Sequence, residues 1–310
     1  MNILVKTTFN RSPGDDLARR GVKSLLAEHI KKHNVFVYDA GKDMSDSVRN
    51  TLRRNKRIQT DIWHVERSAR IDLVIFAGSP VWTGKELVEL EDYIVENSVP
   101  CYYLGVGTNS SSTERTGEVL KNCKLFIARD DWALETSAKY GVEGIKICCP
   151  SIFSFVPIRA MVGEKIGIVV QMDTKSGRQL DLINRFDKDR VRIIAHHIED
   201  YEFLVSVYGG SREIRYSRFI DDLAEMYKGC HSIYSMRVHG AHLAFSLCIP
   251  TICLKEKKKS KTCECLGVKV KFPTAFRRGH LISRSDIVRN RVDLRRKYIS
   301  ALRGLYKRLS

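Results

Sequence analysis

Short apolar runs alternate with amphipathic stretches along the first half of the chain. Residues 2–5, 35–38, 73–77, 102–106, 125–128 and 145–149 are dominated by bulky apolar side chains, the pattern of strands buried on both faces. Between them, Leu17, Gly21 and Leu25 recur every four residues beside Val22, Leu26 and Ile30, and residues 85–97 show a similar helical period. Such alternation predicts a parallel sheet with helices on both faces. Residues 150–165 carry two prolines and no clear period, which predicts a junction. The alternation then restarts, with strands at 166–170, 192–195, 232–234 and 251–254 and helices at 199–208, 218–228 and 240–248. Two successive α/β units are expected, over residues 1–155 and 160–310, and the cleft between such units is the default ligand site.

The carboxy-terminal stretch differs in character. From Arg277 onward eleven Lys or Arg stand against two Asp, and Leu294, Tyr298, Leu302, Leu305 and Leu309 are spaced by three or four. That spacing predicts a basic amphipathic helix, whose apolar stripe packs on the protein or rests on an anionic membrane surface.

Charge narrows the partners but does not choose one. Lys and Arg number 53 against 36 Asp and Glu, a formal charge of +17 that favours phosphorylated substrates, acidic glycans, a membrane face or nucleic acid. The longest uncharged stretch, 238–254, contains two histidines and a proline, so no membrane span is expected. Met1 to Lys6 lacks the basic flank and long apolar core of a signal peptide, which predicts a cytoplasmic chain. The nine cysteines sit mostly in apolar runs, as at Cys148-Cys149, Cys248 and Cys253, and are expected to be reduced core residues. Cys263-Glu264-Cys265 lacks the two-residue gap of a zinc ribbon, and no metal site is expected.

Four segments could carry chemistry. Ser12-Pro13-Gly14-Asp15-Asp16 delivers a strand end into a helix whose first N–H groups can hold an anion, although the same residues make an ordinary helix start. Ala77-Gly78-Ser79-Pro80 and Gly105-Val106-Gly107-Thr108-Asn109 follow strands with small side chains, which either let a ligand approach the backbone or simply form tight turns. Neither has the spacing of a dinucleotide fingerprint or a Walker loop. Arg129, at the end of strand 125–128, points toward the same crevice or pairs with Asp130 or Asp131 on the surface. Arg237 and His239, in Ser235-Met236-Arg237-Val238-His239-Gly240-Ala241-His242, stand at the mouth of a helix apolar nearly all round. A guanidinium there offers a fork to a carboxylate or phosphate, and an imidazole a proton near neutral pH, unless the histidine is a capping or core residue. Five lysines between Lys255 and Lys261 surround a phosphate or solvate a turn.

In this order the motifs resemble the polysaccharide pyruvyl transferase family. Its asparagine-x-glycine-acid turn is similar to Asn10 through Asp16, with Gly14-Asp15 matching, and its following helix to Arg20-Gly21 through Leu26. Its glycine-rich turn resembles Ala77-Gly78-Ser79, its arginine-aspartate Arg129-Asp130, and its methionine-arginine-x-histidine Met236-Arg237-Val238-His239. Ile249-Pro250 and Lys258 ahead of Leu266-Gly267 complete the series; where the family often has an aromatic and an aspartate before the lysine, this chain has Leu254-Lys255-Glu256.

The resemblance implies a GT-B-like fold, two Rossmann-like domains facing across a cleft with a trailing carboxy-terminal helix. It implies transfer of the enolpyruvyl unit of phosphoenolpyruvate onto two hydroxyls of one sugar, giving a cyclic ketal and free phosphate. Phosphoenolpyruvate is then a co-substrate, no cofactor is needed, and the acceptor is a sugar or lipid-linked glycan. Arg237 and Arg129 are expected to hold the carboxylate and phosphate, His239 to move a proton, and Asp15, on the opposite domain, to orient acceptor hydroxyls. Gly14, Gly78, Ser79, Thr108, Asn109 and Lys258 are the further expected substrate contacts. Two other classes stay open: a glycosyltransferase of the same fold using a nucleotide sugar, and a basic protein that binds a polyanion without catalysis. No RNP or zinc-finger pattern supports nucleic acid as the partner.

Overall fold

The computed structural model describes residues 1–7, 12–38, 62–63, 70–78, 88–107, 114–158, 163–171, 177–254, 258–269 and 281–310. In chain order its strands are β1 (Asn2–Lys6), β2 (Asn34–Tyr38), β3 (Ile62–Trp63), β4 (Leu73–Ala77), β5 (Cys101–Val106), β6 (Cys123–Ala128) and β7 (Gly144–Lys146). There follow β8 (Lys165–Val169), β9 (Val191–Ala195), β10 (Glu213–Tyr216), β11 (Cys230–Ser235) and β12 (Thr251–Cys253). The helices are α1 (Pro13–Leu26), α2 (Val88–Glu96), α3 (Glu114–Leu120), α4 (Asp131–Lys139) and α5 (Gly177–Asn184). After them come α6 (Ile198–Tyr208), α7 (Ile220–Lys228), α8 (Val238–Ser246), α9 (Arg284–Ala301) and α10 (Arg303–Leu309).

The chain packs as two compact units. Unit 1 takes Met1–Arg11, Leu25–Pro150 and Ile299–Ser310; unit 2 takes Ser12–Ser24 and Ser151–Tyr298. The sequence suggests one cut between residues 155 and 160, whereas the units exchange a segment at each end of the chain. The first exchange has a plain cause. Leu17 is buried in a core cluster with Val169, Ile194, Leu223 and Leu243, and Arg20 forms a two-pronged ion pair with Asp221 at 2.7 and 2.5 Å. Most of α1 therefore belongs to unit 2, although its sequence neighbours β1 and β2 lie in unit 1.

Unit 1 is a seven-stranded parallel sheet in the order β3-β2-β1-β4-β5-β6-β7. Its central strands β4 and β5 are apolar because both faces are covered, and every residue of the two is buried. Tyr103 on β5 stacks between Phe76 on β4 at 4.7 Å and Phe126 on β6 at 5.0 Å, tying three strands through one aromatic row. Unit 2 repeats the plan with five parallel strands ordered β10-β9-β8-β11-β12. At the end of β8, Ile168 and the next residue after the strand, Val170, enter one core cluster while Val169 enters the other, so the two-residue period of a strand feeds both layers. In each sheet the chain starts in the middle, runs to one side and then crosses to the other. A crevice opens at the carboxyl ends where that direction reverses, between β1 and β4 in unit 1 and between β8 and β11 in unit 2.

The basic tail is two helices. Leu294, Tyr298, Leu302, Leu305 and Leu309 are all buried, so the stripe the spacing singles out is packing surface and is closed to a membrane. In unit 2, Arg291 of α9 donates to the carbonyls of Ile152, Ser246 and Phe155, each at 2.6 Å. Burial lowers its pKa to about 10. Among the described residues no helix is long and apolar enough to cross a membrane.

Candidate functional site

In unit 2 the reversal point is filled by charged and imidazole side chains. Met236 and Arg237 step off β11, and Arg237 caps α8 in extended conformation, φ −110° and ψ 130°. Its position is fixed from several sides. Its own N–H reaches Ser235 Oγ at 3.2 Å, and that hydroxyl donates back to the Arg237 carbonyl at 2.6 Å. Its Nε donates to the Val170 carbonyl beyond β8 at 2.9 Å, and its Nη2 pairs with the Asp200 carboxylate in the first turn of α6. The Asp200 side chain is 5% exposed and the Arg237 side chain 17%, so the pair is largely withdrawn from water and its geometry counts. Nη1 has no protein acceptor among the described residues.

His239 follows in the first turn of α8. Its ring lies directly on Gly14 in the first turn of α1: a Cβ built on Gly14 would overlap the ring at Nδ1, Cε1 and Cγ. Only glycine leaves room there. The sequence expectation that Gly14 and Asp15 stand on the first half, opposite Arg237, is thus corrected, because α1 carries both into unit 2. Asp15 is buried, and both its N–H and that of Asp16 reach the Ser12 carbonyl at 3.0 Å, the helix start the sequence suggests. The His239 ring meets the His242 ring edge-on at 5.9 Å, and His242 Nδ1 is hydrogen-bonded to Ser151 Oγ at 2.8 Å.

The residues after β9 are not among those the sequence motifs single out. His196 is buried, its Nε2 hydrogen-bonded to the Tyr227 hydroxyl at 3.0 Å. Burial first, and then the charges of Arg237, His197 and His239, hold its pKa well below the ordinary histidine value, so it is neutral near pH 7. Burial likewise pushes the Tyr227 hydroxyl well above its usual range. The signal was available: Ala195-His196-His197 is a strand end followed by a helix, the same placement that makes Arg237 conspicuous.

In unit 1 the carboxyl ends of β4, β5 and β6 bring Gly78, Gly107 and Arg129 together. Gly78 adopts φ 77°, a left-handed conformation suited to glycine, and its carbonyl accepts from Gly107 N at 2.8 Å. Arg129 is buried, not on the surface, with Nε 3.8 Å from Asp130 Oδ2 and Nη1 3.8 Å from Cys149 Sγ. Asp130 also caps α4 by accepting from Ala133 N at 2.9 Å, while Asp131 pairs with Lys146 at 2.6 Å. A Cβ on Gly107 would run into the Arg129 guanidinium, so this turn is glycine because the arginine lies across it. Ser79, Thr108 and Asn109 lie outside the described residues; the backbone of Lys258 opens the 3-10 helix Lys258–Leu266, and its side chain lies outside them too.

A sequence profile of the family described as polysaccharide pyruvyl transferase matches residues 13–257, most of the chain. The chain belongs to the polysaccharide pyruvyl transferase family. The match takes in α1, both crevices and the Arg237–His239 block. No curated protein matches the chain in sequence. Among solved structures, UDP-GlcNAc 2-epimerase from Neisseria meningitidis bound to UDP-GlcNAc has a TM-score of 0.52 at 11% identity, covering 98% of this chain and 94% of that one. The Methanocaldococcus jannaschii UDP-GlcNAc 2-epimerase with UDP-GlcNAc and UDP gives 0.53 at 9%, over 95% and 92%. An alpha-glucosyltransferase in complex with UDP gives 0.51 at 9%, over 100% and 95%. At such identities the likeness concerns fold alone, and that fold is GT-B, as the resemblance implied.

Proposed function

We propose that this chain is a phosphoenolpyruvate-dependent pyruvyl transferase that builds a pyruvate ketal on two hydroxyls of a sugar in a polysaccharide or its precursor. The observation that carries the proposal is the Arg237–Asp200–His239 cluster at the unit 2 reversal point, with a guanidinium fixed by Asp200 and the Val170 carbonyl beside an imidazole seated on Gly14. Phosphoenolpyruvate presents a carboxylate and a phosphate, and a fixed guanidinium with Nη1 uncommitted suits either.

The chemistry needs two additions at one carbon. In the first, a sugar hydroxyl adds to C2 of the enol phosphate while the methylene carbon takes a proton and becomes methyl. In the second, the neighbouring hydroxyl displaces phosphate from the same carbon, the C–O bond to phosphorus-bound oxygen breaks, and that hydroxyl's proton leaves with the phosphate. One proton must be delivered to carbon and two removed from oxygen, so an imidazole that can carry a proton either way is the natural group, worth about 10²–10⁴ in rate. His239 is assigned that work. The starts of α1 and α8 next to its ring add a favourable field for the departing phosphate, typically about 0.3–1 kcal/mol each. Arg129, buried at the unit 1 crevice, is assigned as that unit's own anion contact.

A nucleotide-sugar transferase is the second reading, favoured by the UDP-bound structures that share the fold. Phosphorus NMR of the purified chain separates the two. Inorganic phosphate growing in with phosphoenolpyruvate and an acceptor glycoside, dependent on His239, supports the ketal reaction. Turnover of nucleotide sugars with phosphoenolpyruvate left intact overturns it.

A further inference from the structure

Arg218 is a second cation at the carboxyl edge of the unit 2 sheet, apart from the Arg237–Asp200 pair. β9 and β10 pair in parallel with Ala195 opposite Tyr216, so His196-His197 and Ser217-Arg218 leave the sheet side by side. The helices they enter, α6 and α7, both start without a side-chain capping bond. Arg218 Nε is fully buried with no hydrogen-bond acceptor, and among the described residues no carboxylate pairs with the guanidinium. A structural arginine in such a place is expected to be matched, because an unmet buried N–H carries its whole desolvation cost. Arg237, by contrast, is matched: Asp200 cancels its charge. The edge therefore has one neutralised guanidinium and one that keeps its full charge. His197 links them, since after burial both Arg237 and Arg218 press its pKa below the ordinary value while Asp200 and Glu199 oppose them.

We propose that Arg218, with His197 beside it, forms a phosphoryl-binding subsite, taking the phosphate group of the substrate held by unit 2. Arg237, balanced by Asp200, then orients the substrate, while Arg218 supplies the net positive charge that retains a phosphate dianion. The inference rests on unit 2 being the phosphorylated-substrate side. It names a ligand chemistry, a phosphoryl group, that phosphoenolpyruvate and a nucleoside diphosphate share.

The test is calorimetric titration of inorganic phosphate, phosphoenolpyruvate and UDP, each separately, into the wild-type chain and the Arg218→Gln and Arg218→Lys variants. Arg218→Gln is expected to weaken phosphate at least about tenfold and Arg218→Lys less, because the charge is kept but the fork is lost. Whichever phosphoester uses the site loses affinity in parallel, which separates phosphoenolpyruvate from UDP. The Arg218→Gln melting temperature is expected to stay within about 2 °C of wild type, since the substitution strands no acceptor. Unchanged phosphate affinity in Arg218→Gln overturns the proposal, as does a wild-type chain that binds none of the three. If phosphate binding depends on Arg218 but phosphoenolpyruvate is never turned over, the subsite stands and the ketal reaction falls.

Discussion

Gly14→Ala sets the two uses of one residue against each other. Gly14 lies in the first turn of α1, where its φ is ordinary, so alanine suits the backbone and adds helix propensity of about 0.5–1 kcal/mol. The new methyl, however, falls on the His239 ring, and the overlap reaches Cγ as well as Nδ1 and Cε1. Cγ is the ring atom nearest the backbone and moves only by rotation about χ1, so the imidazole cannot evade the methyl by tilting its far edge. It must take another rotamer, which removes it from the start of α1. With His239 as the proton carrier, the expected result is a chain of equal or higher melting temperature whose phosphate release from phosphoenolpyruvate falls at least about 10²-fold, or roughly 2.7 kcal/mol of transition-state stabilisation. Thermal melts and a coupled phosphate assay read both quantities. A well-folded Gly14→Ala protein with wild-type turnover would show that the ring is not needed where it sits, and the assignment of His239 would go with it.

Two further outcomes follow from the buried groups of unit 2. Arg291→Met strands three carbonyl oxygens at about 1–3 kcal/mol each, offset by the desolvation cost that lowers the arginine's pKa to about 10, so a net loss of about 3 kcal/mol is expected in urea unfolding; a loss under about 1 refutes the accounting. His196 is held neutral in the fold, its pKa depressed below the unfolded value near 6.5. Above that pH neither state binds the proton and stability is full; as pH falls below it only the unfolded chain does. Stability is then lost at up to about 1.4 kcal/mol per pH unit until the folded pKa is reached. Urea midpoints at pH 7.5 and 5.5 should show that extra loss in wild type and not in His196→Gln, and equal slopes would count against it.

Most of the architecture was legible because buried parallel strands announce themselves. β4, β5, β8 and β9 are nearly unbroken apolar runs, and a helix with a clear period follows or precedes each. What escaped reading was marginal in the same terms. β10, Glu213–Tyr216, is half-exposed along its length and has no apolar run to give it away. The strand expected over 145–149 shrinks to Gly144–Lys146, since Cys148 and Cys149 are buried beyond the sheet and Pro150 begins a 3-10 turn. The placement of α1 in unit 2 was beyond local pattern altogether. Its stripe of Leu17, Val22 and Leu26 says that a face is buried but carries no information about which sheet buries it.

The candidate site divides along the same line. Arg237, His239 and Arg129 were visible because each ends a strand, and topology places strand ends in the crevice whatever else the fold does. Their partners were not. Asp200 stands 37 residues before Arg237 in a different helix, and the two meet only because β9 and β11 flank β8 in the sheet order β10-β9-β8-β11-β12. The spatial order reverses at β8, so residues that follow strands on either side of it converge although the chain separates them. Sequence could therefore offer a positive charge at position 237 but not its neutralisation. That difference matters for recognition: a bare Arg237 would suffice to hold an anion, whereas one balanced by Asp200 requires a second cation to retain a phosphate dianion against water. Asp200→Asn tests this step, because it frees the Arg237 charge while keeping the shape of the side chain. Phosphate affinity should then rise by up to about tenfold as turnover falls, since an added unit charge a few ångströms from the ligand at a partly wet site is worth about 1 kcal/mol or more. Weaker phosphate binding in a folded Asp200→Asn chain would mean that Asp200 serves only to hold the guanidinium in place.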